Sequence, residues 1–442
     1  MKKRVGLTLV LLLAFALSTN PALAGGTVNY TANVQKVVLD NGLTLLLKEN
    51  PAFDIIALAL LSEVGTIYDP QGFEGLTYLT QRNLVSGTEN RQALELITEL
   101  ESLGVTLNTL ATNDISAVVL QALPDSFAAS FEIVLDIIEN SVFPEEEFAR
   151  ERDLSLTELM SLTDDPVNAL VLAYQEVFYG DHPYRYTAYG SYEGLLAVQR
   201  EHLKEWKDYI YEPEHVTVAV VGNFDTAELL PILEEGFGSW QGGYSGSLPP
   251  NKAGLFSYPS EDRELVINLP TEAAFLMIGY PAPDTFDEDS AAMSVINIVL
   301  GGGGVGGRLF MEIRQKLGLA YTAFSAYDER LGPSNLLTFV ATHPDNVEQV
   351  REKVLSEVQR FATEGLTEEE IAGVATQLRG QYLLNNETNM AQAVMLAQAE
   401  LMGRGYQWVD EYMTFFDNVT PEDIKEAASK YFQHYTSVLV TP

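Results

Sequence analysis

A chain of 442 residues, 46% of them hydrophobic, has enough apolar mass for more than one core and is too apolar for a disordered protein. Its net charge of −36 excludes nucleic-acid binding and disfavours anionic lipid surfaces. With no cysteine it has no thiol nucleophile, no disulfide framework and no Cys-based zinc site.

Taken in chain order, the first feature is an export signal at 1–24. Met1-Lys2-Lys3-Arg4 is a basic start, 5–17 is an apolar core, and Ala22-Leu23-Ala24 is a small-residue cleavage site before Gly25. That apolar run falls short of a bilayer span, and no later run reaches one. The expectation is an exported chain, periplasmic or extracellular, with no membrane insertion after signal cleavage.

Next, an apolar run predicts a strand over 55–61, leading to a helix opened by GLTYLTQRNLVSGT, Gly75 to Thr88. Helix 93–103, a strand through 118–120 and helix 125–140 follow, and the acids of PEEEF open another helix at Pro144. At 241–262, QGGYSGSLPPNKAGLFSYPSED, glycine, serine and proline cluster and apolar periodicity lapses, which predicts a linker. Beyond it come a strand over 274–278, helix 289–300, a strand over 336–341 and helix 345–363. The acids of TEEEI then open another helix at Thr367. PEEEF and TEEEI each follow an Asp-initiated amphipathic helix and place carboxylates where they oppose the helix dipole. This echo predicts a duplicated α+β fold, with one unit at 25–240 and the other at 263–442.

Metal capacity is poor. The five histidines, His182, His202, His215, His343 and His434, include no pair at the i, i+3 or i, i+4 spacing that shares a helix face. Gly301 to Gly307, GGGGVGG, contains a G-x-G-x-x-G match at Gly302, Gly304 and Gly307. A helix rather than a strand precedes it and no G-K-[ST] follows, so a flexible connector is a better reading than a phosphate loop.

Several motifs fall in one order: YDPQGFEGLTYL with the SGT at 86–88, NTLATND (108–114), ERDLSLTELMSLTDDP (151–166), HPY (182–184), YEPEHVTVAVVGNFD (211–225) and GRLFMEIRQKLGLAY (307–321). Together they resemble the pitrilysin/insulinase family of zinc metallopeptidases, over nearly the whole chain after the signal. The likeness is greatest to bacterial two-domain members related to the mitochondrial processing peptidase subunits. It implies two homologous α/β-roll domains, each an antiparallel-rich sheet with helices packed on one face, forming half of a clam.

Catalytic members carry an inverted zinc motif, His-x-x-Glu-His. On it Tyr78 stands at the first histidine, Gln81 at the general-base glutamate and Arg82 at the second histidine. Glu158 matches the third zinc ligand and Glu151 a supporting acid. Glutamine cannot take a proton as a carboxylate does, and arginine keeps its charge and repels a cation. No metal is therefore expected in this chain, and Arg82 either pairs with Glu158 or Glu151 or points to solvent. Arg314 and Tyr321 retain the spacing of the pair with which the family's C-terminal domain holds substrate. Gly302, Gly303 and Gly304 match, in shorter form, the glycine-rich segment of a non-catalytic subunit. The segment around Asn108 matches a position where an edge strand pairs with peptide, and His182 reads as part of a turn.

The resemblance thus implies a pseudoenzyme: a non-catalytic, substrate-positioning subunit of an exported heterodimeric peptidase. Zinc would be carried by a partner with an intact His-x-x-Glu-His motif, and the substrate would be a peptide. A stand-alone peptide-binding scaffold and an autonomous metalloendopeptidase with atypical ligands are the alternatives.

Overall fold

The computed structural model describes residues 29–244 and 256–442. The export signal expected at 1–24 and the middle of the expected linker, 245–255, lie outside these described residues.

The first half contributes strands β1 (Gln35–Val38), β2 (Thr44–Glu49), β3 (Ile56–Ser62), β4 (Thr106–Ala111), β5 (Ser116–Ala122) and β6 (Val216–Gly222). Its helices are α1 (Leu76–Asn83), α2 (Ala93–Leu103), α3 (Pro124–Asn140), α4 (Glu145–Leu162), α5 (Pro166–Tyr179), α6 (Tyr192–Ala197), α7 (Arg200–Ile210) and α8 (Thr226–Ser239). The second half contributes β7 (Arg263–Asn268), β8 (Ala274–Ala282), β9 (Ala320–Asp328), β10 (Ser334–Thr342) and β11 (Thr436–Thr441). With these go α9 (Ser290–Asn297), α10 (Val347–Thr363), α11 (Glu368–Asn385), α12 (Asn389–Leu401), α13 (Trp408–Glu411) and α14 (Pro421–Tyr431).

The first sheet runs β1-β2-β6-β3-β5-β4 and the second β7-β11-β8-β10-β9. Without β1 the two orders correspond strand for strand. Each has one parallel pair, β2 with β6 and β7 with β11, and antiparallel neighbours elsewhere. The duplication extends to helices: α4 and α11 are both 18 residues long, each with three glutamates in its first turn. Thr367 caps α11 through a side-chain bond from the Glu370 N–H, completing a capping box.

Each sheet carries its main helical layer on one face and receives one helix from the other half on the opposite face. Helix α12 packs on β3 and β6 of the first sheet, while α5 packs on β8 and β11 of the second. Every residue of β3 is therefore buried, as the unbroken apolar run IALALLS requires. Its Leu58 and Leu60 face the helices of its own half, whereas Ala57, Ala59 and Leu61 meet Ala393, Leu396 and Ala397 of α12. Reciprocally, Leu170, Tyr174 and Phe178 of α5 pack on Met277, Phe339 and Val440. Polar bonds fasten the exchange: Lys48 Nζ donates to Gln392 at 2.7 Å, and Asn389 Nδ2 to the Ile55 carbonyl at 2.9 Å. Among the described residues no helix is long and apolar enough to cross a membrane.

The SGT segment is held in place by Asp136 of α3. This buried carboxylate accepts from Thr88 Oγ1 at 2.7 Å, Asn90 Nδ2 at 2.6 Å, Asn140 Nδ2 at 2.9 Å and Arg91 Nη1 at 2.6 Å. Burial alone would raise its pKa, but these donors outweigh it and hold the carboxyl below its ordinary value. A depressed folded pKa contributes stability that is present above the unfolded value, about 4, and is lost as pH falls through the folded one. Asp136→Asn is accordingly expected to flatten the acid limb of the stability profile, measured by urea unfolding at a series of pH values below about 5. An unchanged acid limb would contradict this.

Candidate functional site

Helix α1 begins without a side-chain cap at its own N-cap, Gly75, whose φ of 107° lies in the left-handed region. A side chain there would also run into Leu195 and the Tyr189 carbonyl. The missing cap is supplied from a distance by buried Asp69, which accepts from Gly75 N at 2.7 Å and Thr77 N at 2.9 Å. Burial pushes the Asp69 carboxyl up to about 7, against the lowering effect of these bonds. The YDPQG of the sequence thus sets the start of α1, and with it the direction in which Tyr78, Gln81 and Arg82 project.

Tyr78 and Arg82 are one turn apart on α1 and face α4, where Glu151 and Glu158, two turns apart, share a face. The Arg82 guanidinium is forked between them. Nε and Nη2 lie 3.0 and 2.9 Å from Glu151 Oε2, and Nη1 lies 3.1 Å from Glu158 Oε2. The Tyr78 hydroxyl accepts from Arg82 Nη1 at 3.0 Å and donates to Glu158 at 3.1 Å. Glu151 also faces Arg150 at 3.1 Å. The pairing of Arg82 is therefore with both acids, neither one alone nor solvent. Glu151 is 12% exposed and Glu158 46%, so the fork closes on a buried acid at one end and opens to water at the other.

Gln81 does not join this cluster. It is 1% exposed, and its amide exchanges hydrogen bonds with the Tyr211 hydroxyl at 2.7 and 2.9 Å. The Gln81 main-chain carbonyl accepts from Thr109 Oγ1 of β4 at 2.7 Å, tying the sheet edge to the helix.

The arrangement does not fit a zinc ion. Burial raises the Tyr78 phenol above its ordinary value, so the hydroxyl stays protonated and is already used at both its donor and acceptor positions. Both carboxylates are committed to a guanidinium within hydrogen-bond distance. Burial opposes the charge on Arg82, but Tyr78 and the two acids outweigh it and hold the proton more firmly than usual. A divalent cation would have to displace a permanent one. Among the described residues, no group of three or more His, Asp or Glu side chains is gathered as a metal would need.

The other predicted residues lie apart from this cluster. Arg314 is exposed on the helical segment Phe310–Lys316, its guanidinium 5.1 Å from the Phe310 ring centre. Tyr321, 59% exposed, is the second residue of β9, the edge strand of the second sheet. No ion pair or hydrogen bond engages either side chain among the described residues. Asn108 lies in β4, the matching edge of the first sheet.

Gly301 to Gly307, expected as a flexible connector, are wound into short turns between two helical segments. Ile298–Gly302 winds as a π-helical turn continuing α9, and Gly304–Gly306 as a 3₁₀ turn. Gly301 is packed so closely on β9 that a Cβ would lie 2.5 Å from the Ser325 nitrogen. Gly302 and Gly303 are similarly crowded by Asn297 and the Ile298 carbonyl, whereas Gly304 has open space and a φ of +75°. His182 is buried and its Nδ1 accepts from Tyr184 N at 3.2 Å, opening the turn Pro183–Arg185. Asp69, Tyr211 and the Tyr189 ring against Tyr78 are site residues the sequence reading missed; only the capping role of Asp69 had a local signal.

Residues 44–190 match the family model described as Insulinase (Peptidase family M16), and 197–378 the one described as Peptidase M16 inactive domain. An uncharacterized zinc protease of Rickettsia felis is 28% identical over 419 residues, spanning 93% of this chain and 97% of that protein. Another from Streptomyces coelicolor is 26% identical over 399 residues, spanning 89% and 86%. The crystal structure of a protease from Helicobacter pylori superposes with a TM-score of 0.85 at 21% identity, over 93% of this chain and 100% of that one. A crystal structure described as peptidase M16 inactive domain from Pseudomonas fluorescens gives 0.84 at 22% identity, over 93% and 98%. At these identities the two structures show a shared fold.

Proposed function

Because the chain belongs to the insulinase (M16) peptidase family, we propose that it serves as a non-catalytic subunit that positions peptide for an exported zinc metallopeptidase. The observation that carries this reading is the Arg82 fork: the space a metal would need between α1 and α4 is filled by a guanidinium bound to both acids. Gln81, at the general-base position, is turned into the core. Zinc and the attacking water would come from a partner chain with an intact His-x-x-Glu-His motif.

The role kept by this chain would be exercised from its second half. Arg314 and Tyr321 are exposed and uncommitted, so each can offer its donors to a peptide carbonyl or a developing oxyanion outside this chain. Gly304 leaves backbone open beside them in sequence. The β4 and β9 edges can each extend a bound strand by main-chain pairing.

Co-expression with a candidate catalytic chain tests the proposal. Arg314→Ala and Tyr321→Phe are each expected to lower peptide turnover by about tenfold or more without loss of folding or of the complex. Unchanged turnover in both would sink the positioning role. Metal analysis of the purified chain alone is expected to find no stoichiometric zinc; a full equivalent would favour an autonomous peptidase. A stable homodimer that binds peptide with no cleaving partner would favour the scaffold reading.

A further inference from the structure

On the far side of α1 from Tyr78 lies a groove of ≈ 760 Å³ that the vacated zinc position does not explain. Leu76 lines it, two positions before Tyr78 and so about 200° around the axis from it. Its walls are aromatic: Tyr68, Phe73, Trp206, Tyr209 and Tyr244. Trp206 and Tyr209 stack at 4.5 Å, and Tyr244 meets Tyr209 edge-on at 4.7 Å. Trp206 is locked in orientation by its indole N–H, which donates to Thr77 Oγ1 on α1 at 2.8 Å.

Among the described residues, the charged side chains lining the groove are acidic, Glu205 and Asp208. Asp208 has Lys207 3.1 Å from one carboxylate oxygen, but the Lys207 ammonium is buried and also donates to the Glu139 carbonyl. The only histidine there, His202, uses Nδ1 to accept from the Gln199 N–H. Tyr209 is 4% exposed, and its buried hydroxyl has no hydrogen-bond partner among the described residues. A wall of aromatic rings with carboxylates at its rim attracts a cation carried on an apolar stem. A chain at −36 draws such groups from solution.

We propose that this groove binds the side chain of an arginine or lysine presented by a polypeptide, its stem along the rings and its charge at Glu205 and Asp208. The site is separate from Arg314, Tyr321 and the sheet edges, so it stands whether or not the positioning role does.

Calorimetric titration of the full chain with N-acetyl-arginine amide tests it, with N-acetyl-norleucine amide and choline as comparisons. The arginine probe is expected to bind saturably, and the uncharged norleucine probe at least about tenfold more weakly. Glu205→Gln with Asp208→Asn should weaken the arginine probe by a similar factor, and Glu205→Gln alone, which leaves the Lys207–Asp208 pair intact, should weaken it while leaving the melting temperature in place. Tyr209→Phe, which keeps the ring, should weaken it less. The proposal is overturned if no saturable binding of the arginine probe occurs, or if the norleucine probe binds equally well. An acid-free variant that binds arginine like the wild type would overturn it too, as would tighter binding of choline, which would make the ligand a small free amine.

Discussion

Replacing Arg82 with methionine is expected to destabilise the folded chain by about 2 kcal/mol, a large loss for a residue 30% exposed. Methionine keeps most of the stem but leaves Glu151, 12% exposed, with the exposed Arg150 as its remaining cation among the described residues. The cost arises from an under-compensated carboxylate between two helices, not from the attraction lost. Glu158→Gln should cost much less, under about 1 kcal/mol, because Glu158 is 46% exposed and its pair is screened by water. Urea unfolding of the two variants measures the contrast. Equal effects would mean that the fork is a surface ion pair and that α1 and α4 are held by packing alone.

The second large effect is expected at Arg330, where the two halves meet. Its side chain is 10% exposed; Nη2 lies 2.7 Å from Asp328, Nη1 donates to Asn113 at 3.1 Å, and the guanidinium sits 4.5 Å from the Tyr184 ring centre. Around it, Tyr184 bonds Asp114, Asn335 donates to the Tyr179 hydroxyl at 2.9 Å, and Tyr179 donates to the Pro333 carbonyl at 3.1 Å. Asn113 of the first half and Asp328 of the second thus share one cation. Arg330→Met is expected to cost about 2 kcal/mol, because it takes the guanidinium away from half-buried Asp114 and from Asp328, which is 35% exposed and partly screened by water. Lysine should not rescue, since it has neither the fork nor the planar face. Adding Asp328→Asn to Arg330→Met should recover part of the loss, and strictly additive effects in denaturant unfolding would contradict the network.

Much of the molecule was legible from local pattern. Helix 93–103 has the predicted bounds, and the glutamates of PEEEF and TEEEI open two 18-residue helices at corresponding places. Capping and dipole effects act within one turn, so they are readable wherever they occur. Strands β2, β6, β7 and β11 go beyond the pattern read from sequence. Short apolar runs such as VTVAVVG do not declare their partners, and β6 pairs with a strand about 170 residues earlier. The turns and close packing of the glycine run were not legible, because glycine also serves close backbone contact, which Gly301 makes with a strand more than twenty residues on.

By itself, the sequence determined that no histidine pair has the spacing of one helix face. Placed on the motif of the family it resembles, it also put Gln81 at the general-base position and Arg82, a permanent cation, at a ligand position. The first of these depends on residue type and spacing alone. Only the tertiary structure decided that Arg82 takes both acids, that Gln81 turns to Tyr211 instead, and that α5 and α12 each cover the other half's sheet. These outcomes are set by which long-range surfaces meet. An amphipathic helix carries the need to bury a face, but nothing in its period names the sheet that receives it.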